Sequence, residues 1–267
     1  LNRIALQLRM SVDPTRLRTP QMPLSALMDA AWTLDPKLAV MLWVRNQSNE
    51  EVRRCVTEKV KANPEQVVHC AEALPLLVTE ETARDNIPQL KHLLYWAPTD
   101  PLTAMSLLGR RYRGNAFVTH YALRVLKQFS PDTVIFYLPQ LVQCLRYDDK
   151  GLVAEYLVDA CRRSELLAHQ LIWNTKTYPK KAPREGYKVD LDFSKRANRV
   201  RKRVIANFTK EQQERYEKEF QFFDRFTAIS SRLLPVEPDE RRNKLKEELN
   251  TSMIMITHDL GVVAETG

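Results

Sequence analysis

The chain has 267 residues, with 44% hydrophobic and 28% charged side chains, a balance typical of a soluble globular protein of one or two domains. Its 6 glycines against 15 prolines argue against architectures built on glycine turns, such as phosphate-binding loops, dinucleotide-binding folds and all-β sandwiches. No apolar run approaches the roughly 18–20 residues that a membrane-spanning helix needs, so no such helix is predicted.

Apolar residues recur every three or four positions over about 21–174, and this spacing predicts one helix after another. Pro36, Asn49 and Pro131 mark the predicted starts of three of these helices, because proline suits a first helical turn and asparagine caps one. The connections are short and each helix is apolar on one stripe. We therefore predict an all-α, solenoid-like array of stacked antiparallel helices over 1–178.

The apolar pattern stops at about residue 176, where prolines and like charges follow, and we predict a basic insert or linker over 179–208. The net charge of +8 originates here, because the stretch from Thr175 to Arg203 carries eleven basic and three acidic residues. Near an anionic membrane each basic residue adds up to about 1 kcal/mol of attraction. The candidates for contact with an anionic surface or a partner are Lys180, Lys181, Arg184, Arg196, Arg199, Arg201, Lys202 and Arg203.

Terminal helices are predicted over 209–244. The longest runs from about Lys210 to Leu234, where Pro235 ends it. Its aromatic side chains recur at helical spacing, which indicates a stripe that faces a core rather than a platform for stacking bases. These aromatic residues are Tyr216, Phe220, Phe223 and Phe226.

Patterns that would carry chemistry are incomplete. Gly109 and Gly114 have the separation found in a nucleotide-binding loop, but Asn115 and Ala116 stand where that loop needs lysine and a hydroxyl. His169 lies on an apolar helix and is interpreted as a core residue. The four cysteines form no Cys-x-x-Cys pair, which favours a reduced, intracellular chain without structural zinc or disulfides. The sequence predicts no catalytic, cofactor-binding or metal-binding residue.

Five stretches of the chain occur in a characteristic order. The first three are Leu94-Tyr-Trp-Ala-Pro98, Arg113-Gly-Asn-Ala-Phe-Val-Thr-His-Tyr-Ala-Leu-Arg124 and Phe136-Tyr-Leu-Pro-Gln-Leu-Val-Gln-Cys-Leu-Arg-Tyr147, which Asp148 closes. The other two are 165–174 and 219–224. In this order the stretches resemble the accessory helical domain, or PIK domain, of the phosphatidylinositol 4-kinase type III alpha family. The resemblance spans roughly 24–242.

The resemblance implies a PIK-type helical solenoid that packs, in cis, against a lipid-kinase catalytic domain directly downstream of 209–244. That domain would bind ATP and magnesium and would phosphorylate phosphatidylinositol at the 4-hydroxyl, so this chain inherits none of those residues. The resemblance also implies scaffold or membrane-anchor subunits, an anionic membrane, and a cytoplasmic protein recruited peripherally to the plasma membrane. Nucleic acid is not an expected partner. The amino end, Leu1-Asn2-Arg3, is expected to lie inside a longer protein.

The tail over 245–267 departs from this pattern. It resembles the strand and switch histidine of ABC-transporter ATPases, with His258 at the position that would contact a γ-phosphate. The short apolar run Met253–Thr257 has strand character, but the rest of an ATPase is missing. We interpret the tail as a foreign joint, either a gene-model or assembly error or a coding segment fused in frame, and expect it to lie outside the fold.

Two other functions compete with an accessory domain. The first is a free-standing helical adaptor whose basic insert binds RNA or an anionic membrane, in which case binding would weaken as salt rises. The second is an ABC ATPase, which rests on the tail alone. The ordered motifs favour the accessory domain over both.

Overall fold

The computed structural model describes residues 23–176, 178, 190–233, 235, 237, 240–241 and 243–244. Every regular element among these residues is a helix, and none is a strand, which confirms the all-α prediction. The predicted strand-like tail and the amino end lie outside the described residues. The chain divides into two compact units, Leu1–Arg201 and Lys202–Gly267.

Short and long α-helices are interspersed with 3₁₀-helices, most of them three or four residues long. The α-helices are α1 (Leu24–Leu34), α2 (Pro36–Arg45), α3 (Glu50–Ala62), α4 (Leu74–Leu77), α5 (Glu80–Arg84), α6 (Pro101–Ser106), α7 (Ala116–Leu126), α8 (Pro131–Val134), α9 (Leu138–Cys144), α10 (Leu152–Arg163), α11 (Glu165–Lys176), α12 (Leu191–Ala206) and α13 (Lys210–Leu233). The 3₁₀-helices are Pro64–Val67, Ala71–Ala73, Pro88–Leu94, Arg110–Tyr112, Ile135–Tyr137 and Leu145–Tyr147.

The three predicted helix starts are confirmed, and each has a local cause. Pro36 lies in the first turn of α2, and the Asp35 carboxylate accepts a hydrogen bond from the backbone of that turn at 2.9 Å. The Asn49 side chain caps α3 by accepting from two backbone amides. Pro131 opens α8 behind the capping hydroxyl of Ser130. Capping chemistry was therefore a reliable guide to where these helices begin.

Helices of the first unit pack mainly on their neighbours in the chain, as a helical stack requires. Helix α1 packs on α2 and α3, α6 packs on α7, and α10 packs on α7 and α11. The largest fully buried side chains include Trp96, Tyr121 and Tyr156. Among the helices that the structure describes, none has the length and hydropathy of a membrane span.

All four cysteines are free. Burial raises the pKa of Cys144 to about 11 and that of Cys161 to about 12. Cys70 is also buried, and its pKa is raised to about 11 by desolvation and by its hydrogen bond to Glu72. These thiols are core side chains rather than nucleophiles.

Helix α12 corrects the prediction of an insert or linker over 179–208. Residues 191–206 form a regular 16-residue helix instead. Its buried side chains, Phe193, Ala197, Val200 and Val204, recur at helical spacing beneath the charges. The prediction was wrong there because the density of lysine and arginine hid an amphipathic stripe. Residues 179–189 lie outside the described part of the chain.

Helix α13 in the second unit begins at Lys210 and ends at Leu233, close to the predicted bounds. The aromatic stripe is a core element only in part. Phe220 is 5% exposed, whereas Phe223 is 39% exposed, so the prediction was wrong for Phe223. The Tyr216 ring lies 4.5 Å from that of Phe220, centroid to centroid. The side chain of Phe226 lies outside the described residues.

Candidate functional site

The stretch that begins at Arg113 builds a buried junction between α5 and α7. Gly114 has φ of +84°, a left-handed conformation that suits glycine, and it places Asn115 at the start of α7. The Asn115 side chain is 3% exposed and caps α7 by accepting from the Val118 amide at 3.0 Å. Its amide group donates to the Ala83 carbonyl and to Asn86 Oδ1, each at 3.0 Å. One side chain therefore starts a helix and fastens it to a neighbour.

Arg113 takes part in a second junction. Its guanidinium donates to both carboxylate oxygens of Asp149, at 2.8 and 3.1 Å. Arg196 of α12 donates to the same carboxylate at 3.3 Å and to the Leu145 carbonyl at 3.2 Å. The hydrogen bond from Arg113, reinforced by that from Arg196, lowers the pKa of Asp149. Because these groups are exposed, the pairing fixes geometry more than it stabilises the fold.

The stretch at 94–98 is held by the end of α7. The Tyr121 hydroxyl donates to the Ala97 carbonyl at 2.8 Å, and burial raises the pKa of Tyr121 to about 12. Arg124 donates to the carbonyls of Trp96 and Leu93, at 2.6 and 3.2 Å. These bonds pair α7 side chains with backbone carbonyl groups at the end of the 3₁₀-helix Pro88–Leu94 and in the segment after it. The first two family stretches thus contact each other directly.

The third stretch ends in a cap. The Asp148 carboxylate accepts from the amides of Val153 and Ala154, at 3.2 and 2.9 Å, in the first turn of α10. Gly151, with φ of +73°, lets the chain turn between the two. Arg146, in the same stretch, pairs with Asp190 and lies over the Phe193 ring, 3.9 Å from its centroid. The three stretches therefore fix the helix junctions of the stack.

Asp190 opens α12 by accepting from the Phe193 amide at 2.9 Å. That hydrogen bond, with the nearby charge of Arg146, lowers the pKa of Asp190. A lowered pKa in the folded chain means that the stabilisation is present above the ordinary aspartate pKa, near 4, and is lost as the pH falls through the folded value.

We expect the free energy of unfolding to fall less in the Asp190→Asn variant than in the wild type as the pH is lowered from 5 to 3. Asparagine still caps the helix, so at pH 7 the variant should lose only the exposed charge interaction with Arg146, about 0.2–1 kcal/mol. Urea unfolding at each pH measures the difference, which should shrink in high salt. If the free energy of unfolding falls equally steeply with pH in the variant and in the wild type, Asp190 has no part in acid sensitivity.

The structure places the eight basic residues that were predicted to contact an anionic surface in different environments. Arg201 is half-buried and donates to the Thr175 carbonyl at 3.3 Å and to Asn198 at 2.6 Å, so it belongs to the packing, as does Arg196. Arg203 is half-buried. Arg199 and Lys202 are exposed and remain open to an anionic surface. Lys180, Lys181 and Arg184 lie outside the described residues. Contact of this set with an anionic surface stays a prediction.

Another basic surface was missed by the sequence analysis. A groove of about 670 Å³ brings together side chains from α5, from the 3₁₀-helix Arg110–Tyr112 and from the turn before α10. The signal in the sequence was the short run Arg110-Arg111-Tyr112-Arg113, but Arg84 and Lys150 are too distant in the chain to be joined to it by pattern. We call this surface the basic groove, and its charged lining is Glu80, Arg84, Arg110, Arg111, Arg113 and Lys150.

The described residues were compared with the patterns of a metal cluster and of a nucleotide-binding loop. No group of three or more histidine, cysteine or acidic side chains among them is arranged to hold a metal. At Gly114, where the sequence half-resembles a nucleotide-binding loop, the Asn115 side chain already caps α7 and bonds α5. The site is thus a set of helix junctions with a basic groove beside them, as in a helical scaffold domain.

Comparison with known proteins agrees with this description. Residues 20–217 match the model of the phosphoinositide 3-kinase family accessory domain, or PIK domain. The chain therefore belongs to the PIK-domain family.

Curated relatives are phosphatidylinositol 4-kinases. The chain is 36% identical to phosphatidylinositol 4-kinase alpha 1 of Arabidopsis thaliana over 82% of its own length and 11% of that protein. It is 32% identical to phosphatidylinositol 4-kinase STT4 of Saccharomyces cerevisiae over 85% of its length and 12% of that protein. The corresponding Schizosaccharomyces pombe kinase is 28% identical over 88% of the chain and 12% of the kinase. The chain thus spans about a tenth of the length of these relatives.

Proposed function

We propose that this chain is the accessory helical scaffold of a phosphatidylinositol 4-kinase. In this role it packs in cis against a lipid-kinase catalytic domain, which binds ATP and magnesium and phosphorylates phosphatidylinositol at the 4-position. The chain contributes support and orientation and transfers no phosphate itself. As part of such a kinase it works at the cytoplasmic side of the plasma membrane, together with scaffold or membrane-anchor subunits.

One observation carries the proposal. The stretches that mark the family are the same residues that join the helices, through Asn115, Arg124 and Asp148. These stretches therefore supply the contacts of a helix stack rather than a set of reactive groups. A stack of fixed shape suits a domain whose task is to hold a neighbouring catalytic domain.

A chimeric enzyme tests the proposal. The segment of the S. cerevisiae kinase that aligns with this chain is replaced by residues 20–217, and formation of phosphatidylinositol 4-phosphate from phosphatidylinositol and labelled ATP is measured. We expect the chimera to retain most of the activity of the yeast enzyme, and a kinase with the segment deleted to lose it.

Two variants of the chimera control for the contribution of the fold. Trp96→Ala, which empties a buried site, should lower both protein level and activity, whereas Tyr95→Ala, at a 78% exposed position, should preserve both. A chimera that accumulates to the level of the yeast kinase and resists proteolysis, but makes no phosphatidylinositol 4-phosphate, would contradict the proposal.

A further inference from the structure

The basic groove gathers five cations against one carboxylate. Arg84 comes from the end of α5, Arg110, Arg111 and Arg113 from the segment before α7, and Lys150 from the turn before α10. The single acidic side chain in the lining is Glu80. Like charges that converge from three separate parts of the chain produce a positive potential that attracts anions.

Internal ion pairs neutralise only part of this charge. The Arg113 guanidinium lies 2.8 Å from the Asp149 carboxylate. The Arg84 guanidinium lies 3.7 Å from the Asp85 carboxylate, and about two thirds of each of these two side chains is exposed. Arg110, Arg111 and Lys150 are exposed and form no ion pair with another described residue. Three cations therefore face the groove against the one carboxylate of Glu80.

The shape of the groove selects among anionic partners. Its apolar lining residues, Ala83, Ala116 and Phe117, are buried or half-buried, so they do not project as anchors that insert into a bilayer. A concave surface of about 670 Å³ admits an extended peptide, while a flat membrane surface meets only its rim. The planar guanidinium groups of two adjacent arginines suit bidentate pairing with carboxylates.

We infer that the basic groove is a docking site for an acidic peptide segment of a partner protein, recognised chiefly by Arg110, Arg111 and Lys150. The segment would lie along the 3₁₀-helix Arg110–Tyr112 and present carboxylates to these cations. The inference goes beyond the proposed function, since its three principal cations, Arg110, Arg111 and Lys150, lie outside the family stretches.

Fluorescence anisotropy with the full chain tests the inference, with a fluorescein-labelled oligoglutamate peptide as probe and oligoglutamine as the uncharged comparison. We expect binding of oligoglutamate that weakens as salt rises and no binding of oligoglutamine. Arg110→Glu/Arg111→Glu should weaken binding by about tenfold or more, because two attractions become repulsions. Lys150→Glu, from a different segment, should weaken it as well, and circular dichroism confirms that each variant is folded.

A matched variant separates the groove from charge in general. Arg199→Glu/Lys202→Glu produces the same change in net charge at exposed positions outside the groove, and it should change the affinity by less than about twofold. Equal losses in both double variants, or a loss confined to Arg199→Glu/Lys202→Glu, would overturn the inference. So would binding of vesicles of phosphatidylcholine and phosphatidylserine that depends on Arg110 and Arg111 when oligoglutamate does not bind.

Discussion

Replacement of Asn115 by alanine is expected to lower the free energy of unfolding by about 2–4 kcal/mol. Loss of the cap on α7 accounts for about 1 kcal/mol, because the Val118 amide loses its acceptor. The rest comes from the Ala83 carbonyl and from Asn86, which lose their donor in a site where Asn115 is 3% exposed. Urea unfolding followed by far-ultraviolet circular dichroism measures the change.

Asn49 provides the matched control. It is also an asparagine cap, but its side chain is exposed and accepts from two backbone amides in the first turn of α3 itself. Asn49→Ala should therefore cost only about 1 kcal/mol. Equal losses at the two positions would mean that the bonds from Asn115 to α5 contribute nothing.

Asn115→Asp separates the cap from the tertiary bonds. Aspartate keeps the acceptor for α7 and its charge is favourable at a helix start. It replaces the donating amide by a carboxylate oxygen that faces the Ala83 carbonyl, 3.0 Å from the present nitrogen position. We expect clear destabilisation near pH 7 despite the better cap. Wild-type stability in this variant would contradict the role given to the amide.

The all-α fold was predictable because its signals are local. The caps at Asp35 and Asn49 and the prolines at 36 and 131 specify helix starts within a few residues, and apolar spacing specifies the buried face. Helix α12 shows where this reasoning failed. Its buried apolar residues, such as Phe193 and Val200, recur at the same helical spacing as those of the other helices. The high density of basic residues hid this spacing.

The family stretches indicated which residues belong to the candidate site. They did not indicate which of these residues contact each other. Nothing in the spacing of Arg113 and Asp149, 36 positions apart, indicates that they meet, because tertiary folding brings them together. The basic groove is hidden for the same reason, since Arg84, Arg111 and Lys150 belong to three distant segments. Conversely, Arg196 and Arg201, which belong to the predicted contact cations, donate to backbone carbonyls of neighbouring helices.

Trp96→Ala is expected to cost about 3–5 kcal/mol, the largest loss from a single substitution that we predict. Trp96 is 0% exposed, and alanine leaves a cavity that the surrounding side chains fill only in part. The hydrogen bond from the Arg124 side chain to the Trp96 carbonyl does not involve the indole ring and should persist. The loss therefore measures packing.

Two further substitutions test this interpretation by urea unfolding. Trp96→Phe should cost less, about 1–2 kcal/mol, because a ring still fills much of the site and the buried indole N–H, which has no hydrogen-bond partner among the described residues, is removed. Tyr95→Ala, at the adjacent position of the same stretch, is 78% exposed and should change stability by no more than about 0.5 kcal/mol. A Tyr95→Ala loss as large as that of Trp96→Ala would show that the stretch acts through its backbone conformation, since the two side chains differ so strongly in burial.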